Sequence, residues 1–189
     1  MRLTPENKRK ITDRIRAGAA KTLREHGFDA VNLDKLMKEA GLTRGAFYAH
    51  FPSKGALLAE VMRHEHPLLT LLENRPGPGP GDLRDQLLEV FAGYLDVRNL
   101  ENVFRGCTLA ALTGDATRAP DVVKEAYGDV FQAICVEMGR GQKHGADAYC
   151  PALLIASGAV RSAMAMQQAD RRAQVLSAAH DAFRLLLPE

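Results

Sequence analysis

Residues 41–54 read GLTRGAFYAHFPSK, directly after the amphipathic stretch NLDKLMKEA that ends at Ala40. Gly41 breaks the first pattern and a second helical segment starts almost at once. Two short helices joined by a turn of about three or four residues containing Gly are the pattern of a helix-turn-helix, whose second helix lies in the DNA major groove. In that second helix Phe47 and Phe51 are four apart, share a face and are expected to pack on the preceding helices. Arg44, Gly45 and Tyr48 form the opposite face. Arg44 offers a bidentate pair to guanine O6 and N7, worth roughly 1–3 kcal/mol of discrimination. Gly45 lets the backbone approach base edges, which offsets its helix penalty of roughly 1 kcal/mol. Tyr48 and His50 are placed to bond phosphates, which position a protein without reading sequence. Lys54 opens the next helix, where its amine and the free backbone N–H groups both favour a phosphate.

Working outward, Thr4 and Pro5 open a helix expected to run to His26, with Ile11, Ile15, Ala19 and Leu23 on one buried stripe and Gly27 as its stop. Asn32 caps a second helix carrying Leu33, Leu36, Met37 and Ala40. Thr43 caps the third, expected over 44–50. Pro52 and Ser53 separate it from a fourth over 54–65, which resumes after Pro67 to Glu73. RPGPGPG at 75–81 reads as a loop. Further helices are expected over 82–100, 103–114, 120–140, 150–168 and 171–187. No segment shows β-type alternation and no repeat is visible, so the fold class is all-α.

The chain has 189 residues and a formal net charge of +2. That sum hides an asymmetry: residues 1–66 hold 13 Lys/Arg against 8 Asp/Glu, and the remainder 12 against 15. Positive charge concentrated around the helix-turn-helix suits phosphate binding. The N-terminus lacks the apolar core of a signal peptide, and no apolar run is long enough to span a bilayer. Three scattered cysteines with no CxxC pair argue against a disulfide scaffold or a zinc site and suit a reducing cytoplasm. No nucleophile–base constellation, phosphate loop or carboxylate pair is present, so an enzyme is not expected, nor is a cofactor. His64 and His66 lie two apart, which on a helix points the imidazoles in different directions, so no metal is expected there either.

The run FDAVNLDKLMKEAGLTRGAFYAHFPSKGALL resembles the N-terminal DNA-binding region of the tetracycline-repressor-like (TetR) family of bacterial transcription regulators. The resemblance covers residues 8–60, and GAFYAHFPSK followed by Leu57 is its most specific part. It implies a helical chain of about nine helices, with a three-helix DNA-binding domain (residues 5–53) and a larger effector-binding and dimerisation domain (54–189). Carried over by position, it places Asn32, Thr43, Arg44, Gly45, Tyr48, His50 and Lys54 on DNA. Asn32 stands where the family often has Ser or Thr, and keeps the capping function. Asp34 is left out of the contact set because it would repel a phosphate.

The C-terminal part carries no comparable motif. The resemblance implies an effector pocket among its central helices, for which Phe91, Tyr94, Leu95, Phe104, Cys107, Leu112, Tyr127 and Phe131 are the candidates, with an apolar or neutral ligand expected. Cys107, after Gly106 and close to a helix start, has the setting of a reactive thiol. Some members of the family sense electrophiles or oxidants through a cysteine in this region. In the last two helices, Ala156, Ala159, Val160, Ala163, Leu176, Ala179 and Phe183 are expected to form a dimer interface in a four-helix bundle. Such a dimer presents its recognition helices about 34–36 Å apart on a quasi-palindromic operator. The expected function is a cytoplasmic homodimeric repressor released from double-stranded DNA by a small-molecule effector. The alternatives are release through thiol modification of Cys107, or a DNA-binding protein with no effector.

Overall fold

Helix α1 (Pro5–His26) begins where Thr4 and Pro5 place it. The Thr4 hydroxyl accepts the Asn7 N–H at 3.3 Å, while Pro5 has no N–H to leave unpaired. Gly27 ends the helix at φ 80°, a conformation that favours glycine. A Cβ there would also come within 3.2 Å of the Asp115 carboxylate, which accepts the Phe28 N–H at 3.3 Å. Asn32 caps α2 (Leu33–Glu39), its Oδ1 accepting from the Asp34 and Lys35 N–H groups at 2.9 and 3.2 Å. The Arg14 guanidinium closes the far end of α2 by donating to the Ala40 carbonyl. Gly41, at φ 70°, then turns the chain.

The computed structural model describes residues 4–75 and 82–189, without the side chains of Glu39, Asp82, Phe104 and Arg105. The loop expected at 75–81 therefore lies outside the described residues apart from Arg75. Helix α3 spans only Arg44–Phe47, and Tyr48–His50 continue as turns. It is shorter than the periodicity suggests because Thr43 makes no side-chain cap and the turn before Pro52 disfavours helical backbone. Phe47 and Phe51 are 0% and 3% exposed, with rings stacked at 5.6 Å. Ser53 caps α4 (Lys54–His64) by accepting the Ala56 N–H at 3.0 Å.

These four helices, together with residues 111–130, form one compact unit that ends at His66. Its core joins Ile15, Leu23, Met37, Phe47, Leu57, Met62, Leu112 and Val123. Helix α4 buries Leu57, Leu58, Val61 and Met62 in this first unit.

The second unit comprises residues 67–110 and 131–189. It holds α5 (Pro67–Glu73), α6 (Asp82–Tyr94), α7 (Leu100–Gly106), α10 (Cys150–Met164) and α11 (Ala169–Leu186). Helices α8 (Thr108–Ala116) and α9 (Asp121–Met138) contribute residues to both units. The helix expected to run from 82 to 100 stops at Tyr94, and Asp96 accepts the Arg98 N–H at 2.8 Å to start a 3-10 turn at Val97–Asn99. The one expected over 103–114 is two helices, broken at Cys107, whose backbone is extended at φ −92° and ψ 105°. Arg140 closes the end of α5, its guanidinium donating to the carbonyls of Glu73, Leu72 and Arg75 at 2.9, 3.0 and 3.1 Å.

Ala156, Ala159, Val160, Ala163, Leu176, Ala179 and Phe183, expected at a dimer interface, are all buried within the chain itself. Small side chains on α10 let it pack closely on α11, and Phe183 stacks on Phe91 with ring centroids 4.2 Å apart. Among the described residues there is no strand, and no helix is long and apolar enough to cross a membrane.

His66 is buried at the end of the first unit. Burial pushes its imidazole down to about 4, the Arg24 charge adding to this and a backbone bond at Met62 opposing it. Between the ordinary value of 6.5 and about 4, the unfolded chain binds a proton that the folded chain refuses. Stability is therefore lost as pH falls through that window, by up to roughly 3 kcal/mol from this group. Urea denaturation of the His66→Leu variant should show a shallower loss across the same window. A wild-type slope in the variant would assign the pH dependence elsewhere.

Candidate functional site

The outer face of α3 carries side chains that the chain itself hardly uses. Tyr48 is 59% exposed, its ring held edge-on to Phe47 with centroids 5.3 Å apart. Thr43 is exposed and makes no cap bond. At Gly45, an added Cβ would meet nothing closer than the Thr43 hydroxyl at 4.0 Å, and the backbone is not left-handed. Neither packing nor conformation within the chain asks for glycine at this position. Arg44 is exposed and donates to the Asp34 carboxylate at 3.0 Å. An exposed pair of this kind contributes little to stability, roughly 0–1 kcal/mol, but it holds the guanidinium in place.

The other expected contacts have partners of their own. His50 shares a hydrogen bond between its Nδ1 and the Thr12 hydroxyl at 2.9 Å. Partial burial, and then the Lys8 charge, lower its pKa, so near neutrality it meets an outside group as an uncharged ring. Lys54 has its Nζ 4.6 Å from the centroid of the Phe28 ring, a cation–π contact. Asn32 has its carbonyl oxygen committed to the α2 cap, which leaves its NH₂. Asp34, Thr12 and Phe28 were missed as partners, since contacts across 10, 38 or 26 positions leave no short spacing to read.

The second unit contains a cavity of about 320 Å³ bounded by α5, α6 and α7. Leu68, Leu71, Val90 and Val103 supply apolar wall, Asn99 and Asn102 supply amides, and among the described residues no charged side chain lines it. The Tyr94 hydroxyl donates to the Cys107 sulfur at 2.9 Å on one side. Of the eight expected lining residues, Tyr94 and Cys107 are in this wall. Phe91 is instead core against Phe183, and Leu95 borders a separate groove with Leu176. Leu112 and Tyr127 belong to the first unit, where Tyr127 bonds Thr113 at 3.1 Å. Phe131 is half-buried on α9, and the Phe104 side chain lies outside the described residues. The walls on α5 were missed because apolar periodicity marks buried faces without distinguishing core from cavity. His64 pairs with Glu60 at 3.3 Å, and no cluster among the described residues could hold a metal ion.

A capped helix-turn-helix with an unspent outer face, followed by a helical unit with its own cavity, is the architecture of helix-turn-helix regulatory proteins. Residues 15–61 match the family described as bacterial regulatory proteins of the tetR family. The chain is 23% identical over 127 residues to the HTH-type transcriptional repressor NemR of Escherichia coli K12, a match spanning 67% of this chain and 64% of NemR. It is 28% identical over 127 residues to the HTH-type transcriptional repressor Rv1474c of Mycobacterium tuberculosis, over 60% of this chain and 67% of that protein. The fold matches the reduced-form crystal structure of E. coli NemR with a TM-score of 0.71 at 18% identity, covering 95% of this chain and 97% of that one. A TetR-family regulator from Agrobacterium tumefaciens matches with a TM-score of 0.67 at 17% identity, covering 93% and 98%.

Gly45→Ala separates a surface role from a structural one. It should leave thermal stability unchanged or slightly raised, by up to roughly 1 kcal/mol of helix propensity, while weakening binding to the cognate DNA. Arg44→Ala should weaken that binding by roughly 1–3 kcal/mol, or about 5-fold to 150-fold. Titrations of a fluorescent operator measure both, and unchanged affinity in both variants would remove α3 from the interface.

Proposed function

We propose that this protein is a homodimeric transcriptional repressor that binds a quasi-palindromic operator through α3 and releases it when a small molecule fills the α5–α7 cavity. The observation that carries the DNA reading is the α3 face itself: an exposed arginine, a glycine with no internal need to be glycine, and an exposed tyrosine on a helix anchored by two buried phenylalanines. The basic balance of residues 1–66 supports it. Backbone contacts with phosphate come from the α2 and α4 starts, with Asn32, His50 and Lys54 alongside. The protein acts as a regulator in the cytoplasm rather than as an enzyme.

The cavity favours a neutral, mostly apolar ligand carrying one or two hydrogen-bonding groups, matched to Tyr94 and the Asn102 amide. Helix α8 starts directly after Cys107 in the cavity wall and carries Asp115, which holds the Gly27–Phe28 turn. Release requires that occupancy shift the balance between a DNA-bound and a free state. A ligand moves that balance only as far as its affinities for the two states differ. The Tyr94–Cys107 bond supports a second trigger, modification of the Cys107 thiol. Cys107→Ser separates the two: it abolishes release by a thiol reagent and leaves release by a reversible ligand intact.

With the former interface candidates buried inside the chain, the surface offered to a second copy is the outer face of α10 and α11. Leu154 and Leu185 are 59% and 83% exposed there, and a Cβ at Gly158 would meet no atom of the described residues within 4 Å. Sedimentation of Leu154→Glu should show monomer at concentrations where the wild type is dimeric, with operator affinity falling in parallel. A ligand screen by thermal shift, followed by operator release, tests the effector. A protein with no sequence-preferring, salt-sensitive DNA binding would end this reading.

A further inference from the structure

Cys135 on α9 and Cys150 at the first position of α10 have their sulfurs 3.3 Å apart. A disulfide needs a separation of about 2.05 Å, so a small side-chain rotation closes the gap. Neither thiol lines the α5–α7 cavity. The intervening turn holds the pair in register. Tyr149, buried beside Cys150, packs its ring on Gly139 so tightly that a Cβ there would be 2.8 Å from the ring. The Gly139 N–H in turn bonds the Cys135 carbonyl at 3.1 Å. The two backbones are therefore already ordered around the sulfurs.

We propose that Cys135 and Cys150 form a reversible disulfide, making this a redox-modification site whose oxidant is a peroxide. The site is distinct from the cavity, and the proposal does not rest on the DNA-binding reading. Cys135 is fully buried whereas Cys150 is partly exposed, so the peroxide meets Cys150 first. Burial above all, and then the adjacent Cys150 sulfur, push the Cys135 thiol pKa up, keeping it protonated as the second partner. The Cys150 thiolate attacks one peroxide oxygen, the O–O bond breaks and the leaving hydroxide takes a proton to become water. This leaves a sulfenic acid on Cys150. The Cys135 sulfur then attacks the Cys150 sulfur, the S–O bond breaks and the departing hydroxide leaves as water with the Cys135 proton. Two thiols lose two electrons and one peroxide gains them. In a reducing cell such a bond is transient, as befits a sensor.

The three cysteines fall in separate tryptic peptides, 106–118, 125–140 and 144–161, which makes the test direct. The full-length protein is treated with hydrogen peroxide, its remaining thiols are alkylated under denaturing conditions, and it is digested without reductant. Peptide 125–140 should appear joined to 144–161, in wild type and in Cys107→Ser alike, and dithiothreitol should reverse the link. Thermal denaturation of the oxidised protein should shift upward by several degrees, because the crosslink constrains the unfolded chain. In Cys150→Ser, Cys135 should stay alkylatable after the same treatment. The proposal is overturned if Cys135 and Cys150 both remain free at peroxide levels that oxidise glutathione. It is equally overturned if Cys150 links to Cys107 or to a second molecule, or proceeds to the sulfinic acid with Cys135 intact.

Discussion

The stacked pair Phe47 and Phe51 is what gives α3 a direction. A helix of four residues has too few internal bonds to hold itself, since nucleation alone outweighs what one turn returns. Two phenyl rings buried among Ile15, Met37 and Leu57 supply roughly 1.5–3 kcal/mol each, with a little more from the ring pair. The same two residues fix which face of the turn looks outward. Arg44, Gly45 and Tyr48 stay exposed because the opposite face carries the anchoring. The capping oxygens of Asn32 and Ser53 then set where the two flanking helices begin.

In the second unit a comparable constraint comes from charge rather than rings. Helix α5 is seven residues long and forms a wall of the cavity, and Arg140 fastens its end by donating to the carbonyls of Leu72, Glu73 and the following Arg75. One guanidinium accepts that task for three carbonyls, which ties the wall to the end of α9. A cavity persists where its walls are held independently of its contents, and here the wall is fastened from behind.

The N-terminal unit was legible because its signals are local: caps one to three residues from helix starts, glycines where helices stop, and a four-residue Phe spacing. The family resemblance added the positions expected to face DNA. What the sequence hid lay in long-range pairings. The Arg44–Asp34 and Lys54–Phe28 contacts involve side chains whose separation depends on the turn geometry between them. In the C-terminal part the apolar stripes were correctly read as buried, but burial on a stripe is the same signal for a core, a cavity wall or an interface. The small residues of α10 were therefore attributed to a partner when they serve α11 of the same chain. At Cys107 the preceding Gly106 pointed to a helix start nearby, but the helical pattern across 103–114 hid that one helix ends there and another begins.

In the proposed DNA-binding role, the pairing of Arg44 with Asp34 has a consequence for how such a protein searches a genome. Any acceptor that engages Arg44 must first compete with a carboxylate already in place, and a lone phosphate offers little more than that carboxylate does. A guanine edge, with two acceptors in the plane of the guanidinium, offers more. Asp34 also repels the backbone wherever the fit is poor. The acidic neighbour thus lowers the affinity for irrelevant sequence more than for the correct one. Against the roughly million-fold or greater excess of competing sites on a chromosome, that difference governs occupancy more than tightness does.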